Sequence, residues 1–327
     1  MVHQEIHQKG RRVFLDFLHN PTALQRDFGN LGKEAHAYLE QSGAFQSMPI
    51  ERLAHLNQPA IDLYKNNGID LTCEMLEIAV CTQHNNGGLA VNCWWETNVP
   101  HLFAVGEAAG THGVYRPGGS ALNSGQVGST RAAMFIARRY AENPMPESDF
   151  ARLANEKIAP KLALAHKFLE NKKGNTPQEI RATLGNRMSA YAAHIRKADG
   201  IRKLKEEAAA QLQNIAEQTA LSSPADLIAA FENVDLLMAQ YVYAAAMENY
   251  TGGSRGSYII PEENGIYDAA GSFRFSPDDG KLSDKIQEIR YTPQGCDVTW
   301  DDVRPIPEND DWFENVWREY RDDEVVR

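Results

Sequence analysis

Apolar residues recur with helical spacing through much of the second half of the chain. Between residues 147 and 251, Glu, Lys, Ala, Leu and Gln dominate, and the apolar positions repeat at intervals of three, four and seven residues. The clearest run comprises Leu227, Phe231, Val234, Leu237 and Met238. This period gives each helix one apolar face that needs a partner. The stretch is therefore predicted to be almost wholly helical and to bury its apolar faces against one another.

Short breaks divide this stretch into four predicted helices. The breaks fall at residues 173–177, 199–200 and 222–224. Thr176 and Ser223 each precede a proline, and this pair of residues is typical of a helix N-cap followed by the first helical position. Because short connections favour antiparallel neighbours, the sequence predicts a small antiparallel helical bundle.

The pattern changes on either side of the bundle. Residues 1–71 combine one strand-like run, at 12–16, with helical patterns. Residues 72–143 are rich in glycine, and two prolines just after them mark a linker to the bundle. Residues 252–327 contain short β-prone runs punctuated by glycine, followed by an acidic tail that carries tryptophans. The sequence thus indicates four regions.

The glycine-rich region carries the candidate chemistry. Residues 101–105 form a short apolar run that ends in Gly106 and Glu107. Such a run is typical of a buried parallel strand, which would bring the Glu107 carboxylate to the edge of a sheet where ligands bind. One helix is predicted over 120–140, with small residues in its first turn. Its free N–H groups and dipole suit an anionic or electron-accepting group.

Two polar residues add to this arrangement. His84 precedes the Asn-Asn-Gly-Gly string at 85–88, and Arg116 lies between two glycine turns. An arginine fork matches a carboxylate with two parallel hydrogen bonds. A histidine or arginine in a loop is usually a solvated surface residue, so each signal is weak alone. Together with the predicted strand, Glu107 and the glycine-rich helix start, they indicate a binding site.

Composition limits the classes of function. The 327 residues include 33 Lys and Arg against 44 Asp and Glu, a net charge of −11. This charge repels a phosphate backbone, which argues against nucleic acid as a partner but leaves a local basic pocket for a small anion open. No apolar run is long enough for a transmembrane segment, and the N-terminus lacks the apolar core of a signal peptide. A cytoplasmic location is expected.

The cysteines offer no metal site. The four are Cys73, Cys81, Cys93 and Cys296. None forms a Cys-x-x-Cys pair, and their spacing matches no zinc pattern. Free cysteines are among the most buried residue types, so buried thiols are predicted.

Three blocks in the glycine-rich region resemble the flavoprotein subunits of succinate dehydrogenase and fumarate reductase, a family that includes L-aspartate oxidase and adenylylsulfate reductase. The blocks are QHNNGG at 83–88, LFAVGE at 102–107 and HGVYRPGGSAL at 112–122. They occur in the family's order and with its short spacing. Residues 181–204 and the Ser-Arg-Gly string at 254–256 are similar to the family's helical domain, so the resemblance covers roughly residues 60–260.

The resemblance implies a fold class and a division of the chain. The class is α/β plus all-α: an incomplete FAD-binding α/β domain with a remnant of the capping domain, an antiparallel helical bundle and a small mixed C-terminal region. Residues 1–71 would end the capping or substrate domain, and 72–143 would form the C-terminal part of the FAD-binding domain. The bundle would span 147–251, and the mixed α/β region would span 252–327.

The resemblance also implies a function, an FAD-dependent oxidoreductase that transfers hydride between a carboxylate-bearing substrate and the flavin. His84 and Arg116 would be the catalytic residues that bind and orient the substrate carboxylate, and Glu107 would bind the ribityl chain of FAD. The other cofactor-binding residues would be Gly106, Gly119, Ser120, Ala121 and Leu122, with the backbone of the last three facing the flavin pyrimidine ring. An iron–sulfur electron-transfer subunit is an expected partner.

The sequence departs from the family in its N-terminal part. No Gly-x-Gly-x-x-Gly string follows a strand, and the family's acid–base arginine is not found. The chain therefore resembles the C-terminal portion of such a flavoprotein: a truncated reading frame, an excised fragment, or half of a split enzyme that pairs with an N-terminal half. The alternative is a non-catalytic interaction module. Tyr115 and Pro117 replace the usual neighbours of the substrate arginine, which leaves specificity for a dicarboxylate open.

Overall fold

The computed structural model describes residues 1–24, 28–81, 87–112, 118–255, 258–268, 271, 273–292, 294–305 and 308–322. These residues form a mixture of helices and small antiparallel sheets, divided into two units, Met1–Cys81 and Thr82–Arg327. Among the described residues, no helix combines the length and the apolar character needed to cross a bilayer.

The first unit is built around a two-stranded sheet and two helices. Its elements are β1 (Val13–Leu15), α1 (Lys33–Gln41), α2 (Pro49–Asn66) and β2 (Leu76–Ile78). The strand predicted at 12–16 is confirmed as β1, which pairs antiparallel with β2 so that Leu15 lies opposite Leu76. The Arg12 guanidinium donates two hydrogen bonds to the Glu77 carboxylate, at 2.9 and 2.6 Å. This bidentate pair is exposed, so it adds a cross-strand contact that contributes little to stability.

The second unit contains the remaining elements. They are α3 (Gly118–Arg139), α4 (Glu147–Glu170), α5 (Pro177–Tyr191), α6 (Ala198–Gln213), α7 (Ile215–Gln218), α8 (Leu227–Asn249), β3 (Ile260–Tyr267), β4 (Arg274–Ser276), β5 (Lys285–Thr292), β6 (Gly295–Asp302) and α9 (Trp312–Arg321). The helix predicted over 120–140 is confirmed as α3. The β-prone runs of the C-terminal region form two antiparallel pairs, β3 with β4 and β5 with β6.

The helices α4, α5, α6 and α8 pack together around two apolar clusters. Phe168, Ile180 and Leu237 are fully buried in the first cluster, and Leu204 is fully buried in the second. The predicted N-cap at Thr176 is confirmed, because its hydroxyl accepts a hydrogen bond from Glu179 N while Thr176 N donates to the Glu179 carboxylate at 2.8 Å. The hydrogen bonds that the carboxylate accepts from Thr176 N and from the Thr176 hydroxyl lower the pKa of Glu179. The reciprocal pair satisfies two N–H groups at the start of α5.

The break predicted at residues 199–200 is wrong. Both residues lie in the first turn of α6, and the connection from α5 to α6 runs through residues 192–197. Gly200 is needed there for packing: a Cβ at this position would lie 3.1 Å from Cδ1 of Tyr191. The acidic Asp199 is compatible with the positive end of the helix dipole. Glycine here allows two helices to approach each other and does not end one.

Two buried polar residues of α8 are hydrogen-bonded to α5. Asn233 donates to the Pro177 carbonyl at 2.8 Å and accepts from Arg181, and Gln240 donates to the Leu184 carbonyl at 3.0 Å. Arg187 in turn donates from Nε to Gln240 Oε1 at 2.9 Å. Burial lowers the pKa of Arg187. Buried polar groups must be paired, so these contacts fix the register of α5 along α8.

The apolar run at 101–105 is not the buried parallel strand that the sequence predicts. Phe103 makes an isolated antiparallel bridge with Glu96, and His101 has a φ of 69°, which interrupts extended backbone. Leu102 is 48% exposed. A parallel strand needs neighbouring strands for its N–H and C=O groups, whereas every named sheet in the described residues is an antiparallel pair. The run is therefore a loop packed on α3.

Close contacts hold this loop, together with the residues from 94 that lead into it, to α3. A Cβ on Gly128 would lie 2.5 Å from Nε1 of Trp95, so only glycine lets the indole reach the helix. The Arg131 guanidinium lies 4.4 Å from the centre of the Trp94 ring. At the far end of the helix, the Tyr140 hydroxyl donates to the Glu96 carboxylate. The loop is thus anchored along the length of α3.

The prediction of buried thiols is wrong for three of the four cysteines. Cys73, Cys81 and Cys93 are exposed and Cys296 is half-buried. Around Cys73, the buried positions are taken by Leu71 and Leu76. Larger aliphatic side chains bury more apolar area than a thiol, and they occupy the interior there.

The polar contacts between α5 and α8 predict the effect of removing one acceptor. Gln240→Leu would leave Nε of the largely buried Arg187 without its acceptor, while Nη2 keeps its bond to Gln211 Oε1, and we expect the free energy of unfolding to fall by about 1.5–3 kcal/mol. Urea unfolding followed by helical circular dichroism measures this loss. The same change at the exposed Gln178 of α5 is the control and should leave the midpoint nearly unchanged. Equal midpoints for both variants would contradict the assignment.

The contact at Gly128 predicts that alanine is harmful there although alanine favours helices. Gly128→Ala forces Trp95 to move, and we expect a loss of about 1–3 kcal/mol in unfolding free energy. Gly185→Ala in α5 is the matched control, because its Cβ meets nothing within 4 Å. That variant should gain up to about 1 kcal/mol. Urea unfolding compares them, and a stabilised Gly128→Ala protein would refute the close contact.

Candidate functional site

A cavity of about 380 Å³ lies between the turn at 105–107 and the first turns of α3. Its lining residues are Val105, Gly106, Glu107, Ala121, Leu122, Gly125, Gln126 and Ser129. The lining is mostly apolar backbone and side chain, with one carboxylate and two neutral polar side chains. Such a cleft suits a cofactor or ligand that is largely planar and apolar with a few polar groups.

Glycines shape the wall of this cavity. Gly106 has a φ of 65° and starts the short 3₁₀ turn Gly106–Ala108, which carries Glu107. A Cβ at Gly125 would lie 3.6 Å from the Cα of Gly106, so the helix and the turn are in van der Waals contact. A Cβ at Gly106 would meet no atom within 4 Å and would project into open space. A ligand can therefore approach the backbone of this turn closely.

A second close approach brings two of the sequence blocks together. The backbone at Leu89 pairs with that at Ala109: Leu89 N donates to the Ala108 carbonyl at 2.9 Å, and Gly110 N donates to the Leu89 carbonyl at 3.0 Å. A Cβ on Gly88 would lie 2.5 Å from the carbonyl carbon of Ala109. No side chain fits between the backbone at Gly88 and the backbone at Ala109. The glycine of the first block is thus required for contact with the segment after the second block.

Hydrogen bonds hold the loop that leads to the turn. The Glu96 carboxylate accepts from the Tyr140 hydroxyl and from His101 N at 2.9 Å, and both bonds lower the pKa of Glu96. The His101 ring lies 4.1 Å from the Tyr140 ring, centre to centre. At the other end, Thr111 Oγ1 and Ser124 Oγ are 3.3 Å apart. The chain is therefore anchored to α3 both before and after the turn that carries Glu107.

The structure brings together half of the predicted site residues. Gly106, Glu107, Ala121 and Leu122 line the cavity, whereas Gly119 and Ser120 lie in the same first turns of α3 without lining it. His84 and Arg116 lie outside the described residues. The cavity residues that sequence reasoning missed are Val105, Gly125, Gln126 and Ser129. The last three follow Leu122 at helical intervals, and this spacing is the signal that identifies them once one face of α3 is known to line the cavity.

Two features favour an occupant. Leu122 is 77% exposed beside the cavity, an apolar surface that a planar ligand would cover. In addition, α3 begins with N–H groups that have no partner within the helix, which favours negative charge on a bound group.

Comparison with known proteins identifies what this arrangement resembles. Residues 1–122 match the family model of the FAD binding domain. A fumarate reductase (CoM/CoB) subunit from Methanothermobacter marburgensis is 37% identical over 90 residues, 25% of this chain and 16% of that protein. The L-aspartate oxidase of Bacillus subtilis is 36% identical over 83 residues, again 25% of this chain and 16% of the relative.

A solved structure extends the likeness to almost the whole chain. A quinol–fumarate reductase with menaquinol molecules superposes with a TM-score of 0.66 at 18% identity, covering 93% of this chain and 48% of that one. At this identity the likeness shows the fold alone. The chain thus spans about half the length of the solved structure it matches. The family model also begins at residue 1, upstream of the motifs that first indicated the resemblance.

These findings confirm the resemblance indicated by the three sequence blocks, and they confirm FAD as the cofactor of the matched domain. The cavity between α3 and the turn at 105–107 lies partly within the matched residues, which end at 122. Residues 1–122 thus match the FAD binding domain, and a quarter of the chain is similar to a fumarate reductase subunit and to an L-aspartate oxidase.

Proposed function

We propose that this chain is the C-terminal portion of an FAD-dependent oxidoreductase that transfers hydride between a carboxylate-bearing substrate and the flavin. The observation that carries the proposal is the cavity that joins Gly106 and Glu107 to Ala121 and Leu122. The sequence blocks implied that these four residues contact FAD, and the fold brings them to one surface. A set of unrelated surface residues would not be expected to share a cavity.

The residues of the cavity fit one part of FAD. The bare backbone at Gly106 admits a ligand, and the Glu107 carboxylate can accept hydrogen bonds from the hydroxyls of a ribityl chain. The N–H groups at the start of α3, which include those of Gly119 and Ser120, can stabilise negative charge on the pyrimidine edge of the ring. Bound FAD would supply the atom that accepts or donates hydride. The exposed Leu122 would cover one side of the ring and exclude water.

The substrate residues are proposed from the sequence and from the anchoring of their neighbours. His84 is four residues before Gly88, which contacts Ala109, and Arg116 is two residues before the start of α3. The described residues next to His84 in sequence begin at 87, beside Ala109, and those that precede Arg116 end at His112. The described chain next to both residues is therefore close to the segment at 109–112. This anchoring supports a shared substrate pocket beside the cavity. Arg116 would hold a substrate carboxylate with two hydrogen bonds, and His84 would hydrogen-bond a second oxygen.

The substrate class follows from this chemistry. A planar guanidinium beside an imidazole suits a small acid with a carboxylate and a further polar group. Fumarate and L-aspartate, which appear in the names of the relatives, are both acids of this kind. An iron–sulfur subunit or an N-terminal half would be the partner that completes the electron path or the dinucleotide site. The alternative, a non-catalytic interaction module, predicts that a flavin-loaded protein shows no turnover that depends on Arg116.

The proposed contact of Glu107 predicts weaker cofactor retention when the carboxylate is removed. In the flavin-loaded protein, Glu107→Ala should lose a charge-assisted hydrogen bond worth about 1.5–3 kcal/mol, or roughly 10- to 100-fold in affinity. Flavin absorbance per protein after gel filtration measures retention. Glu142→Ala, an exposed carboxylate just after α3, is the control and should retain FAD normally. Full retention by Glu107→Ala would remove Glu107 from the site.

The proposed role of Arg116 predicts a loss of turnover without loss of cofactor. Arg116→Lys keeps the positive charge but not the planar fork, so we expect turnover to fall at least about tenfold, or 1.4 kcal/mol of transition-state stabilisation. Anaerobic reoxidation of the reduced flavin by fumarate, and bleaching of the oxidised flavin by L-aspartate, are the two assays. FAD content should be constant. Arg138→Lys, at the far end of α3, is the control. Unchanged turnover in Arg116→Lys would exclude the proposed clamp.

A further inference from the structure

A second cavity, of about 430 Å³, lies between the start of α6, the end of α8 and the segment that follows α8. It shares no lining residue with the cavity at α3. Its lining residues are Arg196, Lys197, Ala198, Ile201, Arg202, Ala246, Met247, Glu248, Tyr250, Arg255, Tyr258, Ile260 and Gln287. Backbone hydrogen bonds close one side: Arg196 N donates to the Ile259 carbonyl at 2.9 Å, and Ile259 N donates to the His194 carbonyl at 2.7 Å.

The charge of this lining is opposite to that of the chain. Four cationic side chains face one carboxylate, Glu248, although the whole chain carries a net charge of −11. Two of the cations have nearby acids: Arg202 lies 3.6 Å from Glu248, and Arg255 lies 3.1 Å from Asp278. The other two, Arg196 and Lys197, have no carboxylate within 4 Å in the described part of the chain.

Arg196 is the residue that most needs an opposite charge. Its side chain is partly buried, with the guanidinium carbon 4.1 Å from the centre of the Tyr258 ring. Its Nε donates to the carbonyls of Ala192 and Ala193, at 3.1 and 2.9 Å. Among the described residues, these are the hydrogen bonds of its side chain, which leaves the terminal Nη groups as donors. Burial lowers the pKa of Arg196, and the Tyr258 phenol only partly offsets that effect.

A buried guanidinium is unfavourable unless a negative charge or several acceptors compensate it. The aromatic ring of Tyr258 and two carbonyls compensate Arg196 on one side. On the cavity side, Lys197 adds an unpaired positive charge, and Arg202 adds one that Glu248 partly offsets at 3.6 Å. The first N–H groups of α6, which starts at Ala198, contribute in the same direction. Three independent features therefore favour negative charge in the same space.

We propose that this cavity binds a small dianion, bearing phosphate or carboxylate groups, through Arg196, Lys197 and Arg202. The ligand would lie on the Arg196 fork, with the two outer cations closing over it. Because none of these residues belongs to the flavin-side cavity, this site is independent of the proposed oxidoreductase function. It would serve as a second binding site, and its location next to the connection from α5 to α6 would couple ligand binding to the stability of the bundle.

Calorimetric titration of the full chain with pyrophosphate and, separately, with succinate tests this proposal. We expect saturable one-to-one binding of at least one probe, weaker at higher salt because screening reduces the attraction. Tighter binding of pyrophosphate would identify a phosphate ligand, and tighter binding of succinate would identify a carboxylate ligand. The double variant Lys197→Gln/Arg202→Gln, which leaves the buried Arg196 in place, should bind at least about tenfold more weakly.

A matched double variant separates this site from general charge effects. Lys161→Gln/Lys203→Gln removes the same charge from exposed positions on α4 and α6 that do not line the cavity, and it should bind like the unmodified chain. Circular dichroism checks that both variants fold. Binding of neither probe at millimolar concentration would overturn the proposal. Equal weakening in the two double variants would also overturn it, since anion binding would then depend on the net charge of the chain and not on the cavity.

Discussion

The candidate site depends on how closely the backbone of residues 87–110 approaches itself and α3. At Gly88 the backbone touches Ala109, and at Gly128 the helix touches the Trp95 indole, with no room for a Cβ at either glycine. Close packing of this kind is costly to disturb because interiors have few voids. In sequence, the turn with Glu107 lies between these two contacts, which therefore restrict where this wall of the cavity can lie. Hydrogen bonds from Tyr140 and His101 to Glu96 also orient the loop before the turn relative to the end of α3.

In the bundle, buried polar groups restrict the packing, as the glycines do at the candidate site. Asn233 and Gln240 are buried on α8, and each is paired with α5 through a backbone carbonyl and an arginine. Apolar contacts alone tolerate small shifts in register, whereas a buried amide that loses its partner costs free energy. The bundle is thus specific as well as stable. Its far end supplies Arg196 and Lys197, where the charges are not paired within the described protein.

Charge distribution separates the two cavities. The cavity at α3 has a single carboxylate, suited to the hydroxyls of a cofactor chain, while the cavity beside α6 has a cationic lining in an acidic chain. Net charge therefore indicates poorly what an individual pocket attracts. A net negative charge weakens the attraction of the whole surface for a long phosphate backbone, whereas a small anion meets only the local field. Site-level electrostatics, and not composition, decides the class of ligand.

The sequence by itself determined the helices of the bundle, the helix α3, the strand β1 and the family resemblance, because periodicity, caps and short glycine motifs are local properties. It also selected Gly106, Glu107, Ala121 and Leu122. It did not determine the state of residues 101–105: an apolar run predicts a strand, but a strand forms only where neighbouring strands pair with it, and here the run packs on a helix. Nor could it show that Gly200 lies inside a helix. Both outcomes depend on contacts between residues distant in sequence, which only the tertiary structure decides.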